Sequence, residues 1–73
     1  MRFPGKLTDA KLRALAPRER PYKVSDGLGL FLLVEPHGAR LWRLAYRWHG
    51  KQRLLSLGRY PEVGLAEARR RAL

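Results

Sequence analysis

The sequence predicts an α+β domain: a short N-terminal helix, a three-stranded antiparallel sheet in meander order, and a C-terminal helix packed on one face of the sheet. Three observations predict it. Apolar spacing is helical at first, alternates from Leu28, and becomes helical again after Pro61. The alternating stretch is cut by two short turn signals, Pro36-His37-Gly38 and His49-Gly50, which leave room only for antiparallel neighbours. Finally, a chain of 73 residues holds one domain at most.

The first helix covers residues 7–15. Thr8 is its N-cap, Asp9 sits at the positive end of the helix dipole, and Leu7 and Leu12 have the spacing of a hydrophobic staple. Pro17 ends it, because proline cannot continue the hydrogen-bond ladder and restricts the residue before it. Residues 17–27, stiffened by Pro21 and carrying Arg18, Arg20 and Lys23, read as a connector. The strands then cover residues 28–35, Ala39 or Arg40 to Trp48, and 51–57. His49-Gly50 is a two-residue turn that relies on a positive φ at glycine. After Gly58-Arg59-Tyr60-Pro61, with Gly64 as N-cap, Leu65, Ala68, Ala72 and Leu73 form one helical stripe. Glu67, Arg70 and Arg71 face away from it, and Arg69-Arg70-Arg71 reads as a solvated helix face. The pattern still runs at Leu73 without a C-cap, as in a cut chain or the start of a longer helix.

Sixteen Lys and Arg against six Asp and Glu give a formal charge of +10 and a pI near 11.4, which points to a polyanionic partner. The 45% hydrophobic content is too high for a disordered basic tail. There is no cysteine, and His37 and His49 alone cannot build a zinc site, which wants four ligands. No apolar run reaches the length of a membrane helix, and the first residues have no signal-peptide core. The acids show no dyad and Ser56 has no histidine partner. Gly27-Leu28-Gly29 runs into a strand and lacks the third glycine of a phosphate-binding fingerprint. The expectation is an intracellular binding domain, not an enzyme, with no catalytic residue, metal, cofactor, membrane or small-molecule substrate.

Register sharpens this. With His49-Gly50 as the loop, Trp48 pairs with Lys51, Tyr46 with Arg53, Leu44 with Leu55, and Trp42 with Leu57. These share a side with Leu30, Leu32 and Val34, giving a core side for the C-terminal helix, with Lys51 and Arg53 near the tip free to snorkel outward. The opposite side shows Phe31, Leu33, Leu41, Arg43, Ala45, Arg47, Gln52, Leu54 and Ser56. Arginine, amide, hydroxyl and small apolar groups suit a sheet laid in a DNA major groove. Arg43, Arg47, Gln52 and Ser56 are therefore candidates for groove contacts, and Arg40, Lys51 and Arg53 for phosphates. The alternative reading of the same face is structural: a solvated pair of arginines, with Phe31, Leu33 and Leu41 covered by the N-terminal helix.

Lys6-Leu7-Thr8-Asp9, Asp26-Gly27-Leu28-Gly29-Leu30, Gly38-Ala39-Arg40-Leu41-Trp42, Tyr46-Arg47 and Gly50-Lys51 stand in an order that resembles the opening of integrases carried by prophages and genomic islands. The most specific block is Leu57-Gly58-Arg59-Tyr60-Pro61 followed by Leu65-Ala66-Glu67-Ala68-Arg69. The resemblance spans nearly the whole chain. It implies an N-terminal arm-type DNA-binding domain of a tyrosine recombinase, spanning residues 1–73, that recognises double-stranded arm sites outside the crossover region for integration and excision. Strand exchange would belong to a catalytic domain absent from this sequence, so Tyr22, Tyr46 and Tyr60 are not nucleophiles. It also implies a bacterial cytoplasmic protein, nucleoid-associated when bound, with other integrase protomers or domains as further partners. The sequence departs from the family pattern at Gly64, where a Ser or Thr cap is common, and at Leu33, where a basic residue is common.

Two rival functions remain open at this point. An RNA-binding sheet would expose several aromatics for stacking, and only Phe31 falls on the open face. A protein-interaction domain would use Phe31, Leu33, Leu41 and Leu54 as a dry patch.

Overall fold

The structure, a computed structural model, describes residues 5–72. Its elements are α1 (Asp9–Ala14), β1 (Tyr22–Gly27), β2 (Leu30–Val34), β3 (Arg40–Trp48), β4 (Lys51–Arg59) and α2 (Leu65–Ala72). The four strands form one antiparallel sheet in sequential order. The class is α+β as expected, but the sheet has four strands rather than three.

The added strand is β1, cut from the stretch read as a connector. Tyr22 and Val24 point toward the core while Lys23 and Ser25 point away, an alternation that pairs with β2 from Tyr22↔Val34 to Gly27↔Leu30. Leu28 and Gly29, expected to open the first strand, instead form a two-residue turn with φ of 53° and 85°. The other turns fall where the sequence puts them. His49 and Gly50 have φ of 50° and 76°, and Pro36-His37-Gly38 is closed by the Glu35 N–H donating to Ala39 O at 2.8 Å.

Both edge strands carry a bulge, and each places two successive residues on the helix side of the sheet. In β1 they are Asp26 and Gly27; in β4 they are Leu57 and Gly58. The second bulge corrects the expected register, because Trp42 lies opposite Gly58, not Leu57, and β4 continues to Arg59. Gly58 is needed there: a Cβ would lie 2.5 Å from Val63 Cγ2.

Both helices cover the same side. Thr8 caps α1 by accepting from the Lys11 N–H at 3.2 Å, and the staple residues Leu7 and Leu12 are both buried. They join Leu30, Leu32, Val34, Trp42, Leu57, Val63, Leu65 and Ala68 in one core. Trp42, wholly buried, donates its indole N–H to Val63 O at 2.7 Å and so ties the loop before α2 to the sheet. That loop contains the cis peptide Tyr60-Pro61. Arg71 in the last turn of α2 donates to Leu57 O at 2.9 Å, giving the bulge carbonyl a partner.

The β3–β4 hairpin outruns the rest of the sheet. β2 pairs with β3 only as far as Leu30↔Leu44, with one further bond from the Ala45 N–H to Gly29 O. Beyond it, residues 46–53 pair only with each other as a two-stranded ribbon. Tyr46, expected in the core, is therefore exposed, as is Trp48; Leu55, also expected in the core, is exposed on the edge strand opposite Leu44, and Leu54 on the other face.

Candidate nucleic-acid interface

The register builds the uncovered face row by row. Lys23, Leu33, Leu41 and Arg59 lie in line across the four strands. The next row is Ser25, Phe31, Arg43 and Ser56. On the hairpin the rows continue as Ala45 with Leu54, then Arg47 with Gln52. The sheet thus brings Arg43, Arg47, Gln52 and Ser56 onto one surface. It adds three polar residues that the sequence reading left out: Lys23 and Ser25, hidden in the supposed connector, and Arg59, beyond the expected strand end. The alternation of Tyr22 and Val24 with Lys23 and Ser25 was the signal for the first two.

Arg43 sits at the centre of this surface. Its Nε is shielded by neighbours and has no hydrogen-bond partner among the described residues. Swinging the guanidinium onto an external acceptor therefore gives up no internal bond at Nε. Phe31 beside it is buried, with the Lys23 ammonium 4.9 Å from its ring centroid. The side chain counted earlier as an exposed aromatic is in fact the floor of a cationic surface, covered by Lys23 and not by α1. Arg47 reaches only the Gly50 carbonyl, at 3.5 Å.

The other three candidates lie on the helix side. Lys51 and Arg53 pair with Trp48 and Tyr46 near the exposed hairpin tip. Arg40 pairs with Val34 and is half-buried; its guanidinium lies 4.8 Å from the Tyr60 ring centroid and donates to Leu12 O at 3.5 Å. The structure does not bring Arg40 to the open face.

Charge is segregated along the chain and across the sheet. Between Glu35 and Glu62 there is no acid, while Arg40, Arg43, Arg47, Lys51, Arg53 and Arg59 are all cationic. Among the described residues, the ion pairs formed by Lys and Arg engage Asp26, Glu62 and Glu67, and none involves Lys23, Arg43 or Arg47. Glu67 on α2 is taken by Arg70 and Arg71, whose donors hold its carboxyl below the ordinary glutamate range. Arg70 and Arg71 are exposed, as the sequence suggests, but Arg69, read as part of the same solvated face, turns inward to Asp26.

Asp26 was missed by the sequence reading as anything more than part of a motif. Its carboxylate is wholly buried and receives Arg69 Nε at 2.8 Å, Arg69 Nη2 at 2.9 Å and the Leu7 N–H at 2.8 Å. Arg69 Nη2 also donates to Leu7 O at 3.1 Å. Burial pushes the carboxyl upward, but the bonds from Arg69 and Leu7 and the charge of Arg69 outweigh it and hold the pKa below the ordinary aspartate value. One ion pair thus fastens β1, α2 and the segment before α1 together on the side away from the cationic surface.

A sheet that buries one face under two helices and offers the other as an array rich in Arg, Lys, Gln and Ser has the make-up of a small nucleic-acid-binding domain. The comparisons with known proteins agree. Residues 7–73 match the family described as Arm DNA-binding domain, and the chain belongs to that family. It is 42% identical over 66 residues to the prophage integrase IntS of Escherichia coli K12, covering 90% of this chain and 17% of that protein. It is 46% identical over 68 residues to the prophage integrase IntZ of the same organism, with the same coverage. The integrase of Shigella phage Sf6 is also 42% identical over 66 residues, again at 90% and 17% coverage. The chain therefore spans less than a fifth of the length of these relatives. Among the described residues, no group of His, Asp and Glu is placed to hold a metal, and no helix is long and apolar enough to cross a membrane.

Proposed function

We propose that this domain binds double-stranded arm-type DNA for a phage-type integrase, a tyrosine recombinase that integrates and excises DNA, by setting the open sheet face into the major groove. Arg43, Arg47 and Gln52 reach base edges, with Ser56 beside them, and Lys51 and Arg53 reach phosphates. The observation that carries the reading is Arg43, whose Nε has no partner among the described residues, at the centre of a surface where the one ion pair among those residues is the exposed Arg59–Glu62 contact at its edge. Arginine matches guanine O6 and N7, and glutamine matches adenine N6 and N7.

Dimensions favour the hairpin as the part that enters. Four strands about 4.8 Å apart span roughly 14 Å of backbone, more than a major groove about 12 Å wide, whereas the β3–β4 pair, which carries Arg43, Arg47, Gln52 and Ser56, fits. The covered position of Phe31 removes the one ring the open face could offer for base stacking, and takes the largest member from the dry patch a protein interface would use there.

The test is the affinity of Arg43→Ala on a cognate site beside that of Arg13→Ala, a change on an exposed α1 position remote from the sheet face. Loss confined to Arg43→Ala, about 1–3 kcal/mol, agrees with base reading. Equal affinities would remove the sheet face from the interface.

A further inference from the structure

The hairpin has a second face that the fold leaves unused. Tyr46, Trp48, Lys51, Arg53 and Leu55 share it, on the side where the helices lie, yet all five stand outside the core. Trp48 is 58% exposed, Leu55 46% and Tyr46 38%. Tyr46, Trp48 and Arg53 line a single shallow depression. Large apolar side chains clustered beside cations mark a contact surface.

Charge selects the occupant. Neither Lys51 nor Arg53 forms an ion pair among the described residues, and no acid lies between Glu35 and Glu62. A second copy of this chain would set the same cations against each other, so the surface is complementary to a polyanion. Thickness then says where that polyanion lies. Sheets pack about 10 Å apart, so a ribbon with side chains on both faces is about as thick as the major groove is wide, about 12 Å. Lying flat, the ribbon would turn Tyr46, Trp48 and Leu55 to water. Rolled part-way about its long axis, it keeps its open face toward the base edges and turns those side chains toward the second backbone.

We infer that the ribbon enters the groove obliquely, and that its helix-side flank grips the sugar–phosphate strand along the far wall, with Lys51 and Arg53 on phosphates and the Tyr46 and Trp48 rings against deoxyribose. The inference rests on the groove-binding reading and adds a second contact surface and a tilt to it.

Because Trp42 is wholly buried, acrylamide quenching of the chain's tryptophan fluorescence reports on Trp48. The probe is a mixed-sequence duplex of about 20 base pairs, two helical turns. DNA is expected to shield Trp48 at low salt. The double variant Lys51→Ala/Arg53→Ala is expected to flatten the salt dependence of binding by about two units on any sequence. If Trp48 stays as quenchable as before and the double variant keeps its slope while Arg43→Ala weakens binding, the flank faces water; the inference then fails together with the phosphate roles of Lys51 and Arg53, and the open-face reading stands. If no substitution on either face changes binding, the inference and the groove reading fail together. Shielding of Trp48 before DNA is added, rising with protein concentration and resistant to salt, would make the flank a protein interface and overturn the inference.

Discussion

Trp42 and Trp48 lie on the same strand and on the same face of the sheet, yet one is wholly buried and the other 58% exposed. The difference is what lies above them. Over Trp42 sit the helices, anchored by the indole bond to Val63 and by the Asp26–Arg69 pair. Over Trp48 no helix lies among the described residues, because β1 and β2 stop and the hairpin goes on alone. One strand therefore serves two purposes: its first half is held by packing, and its second half presents side chains that packing does not hold. Stability should reside in the covered half and affinity in the bare one.

The largest effect that could break this division comes from the covered half. Trp42→Ala removes the largest core side chain and should cost about 3–5 kcal/mol, enough to unfold most of a domain this small. Thermal or urea denaturation measures it, and a well-folded variant would show that the helices are not seated on Trp42. Asp26→Asn should cost about 2 kcal/mol, less than a fully enclosed pair because the Arg69 side chain is 29% exposed. It also sharpens the comparison through pH. The folded-state pKa of Asp26 lies below its unfolded value, so its contribution is complete above the unfolded pKa and drains away as pH falls through the folded one. The acid limb of the stability curve should be shallower in Asp26→Asn than in the parent chain, and identical limbs would contradict the assignment.

Substitutions on the ribbon should do the reverse. Arg47→Ala and Gln52→Ala should move the urea-derived stability by less than about 0.5 kcal/mol while each costs about 1–3 kcal/mol on a cognate duplex. Loss of stability in step with affinity would erase the distinction between the halves. The smallest effect belongs to Lys51→Ala, which should weaken all sequences alike and lower the salt slope by about one unit, read from binding isotherms at several salt concentrations.

The parts legible in the sequence are those fixed by neighbours along the chain. The Thr8 cap and the Leu7/Leu12 staple, the His49-Gly50 turn and the Leu65/Ala68 stripe follow from local spacing, and each stands where expected. So do the four open-face candidates, because a two-residue turn sets the register from Trp48↔Lys51 back to Arg43↔Ser56. What was not legible depends on distant partners. A carboxylate at Asp26 and a guanidinium at Arg69, forty-three positions apart, carry no shared period. The bulge at Leu57 leaves Gly58 as its only mark, and Arg40 turns inward because Tyr60 and the end of α1 are there to receive it. β1 is a half-exposed edge strand that opens just after Pro21, so its weak alternation reads as a connector until β2 is beside it.

The central claim is that the uncovered sheet face meets DNA, and an NMR titration of the isotope-labelled chain with duplex DNA at two salt concentrations tests it most directly. The account predicts shifts centred on Arg43, Ala45, Arg47, Gln52 and Ser56 that fade as salt rises, with α2 undisturbed. Shifts spread evenly over all basic residues, or centred on Arg70 and Arg71 of α2, would contradict it.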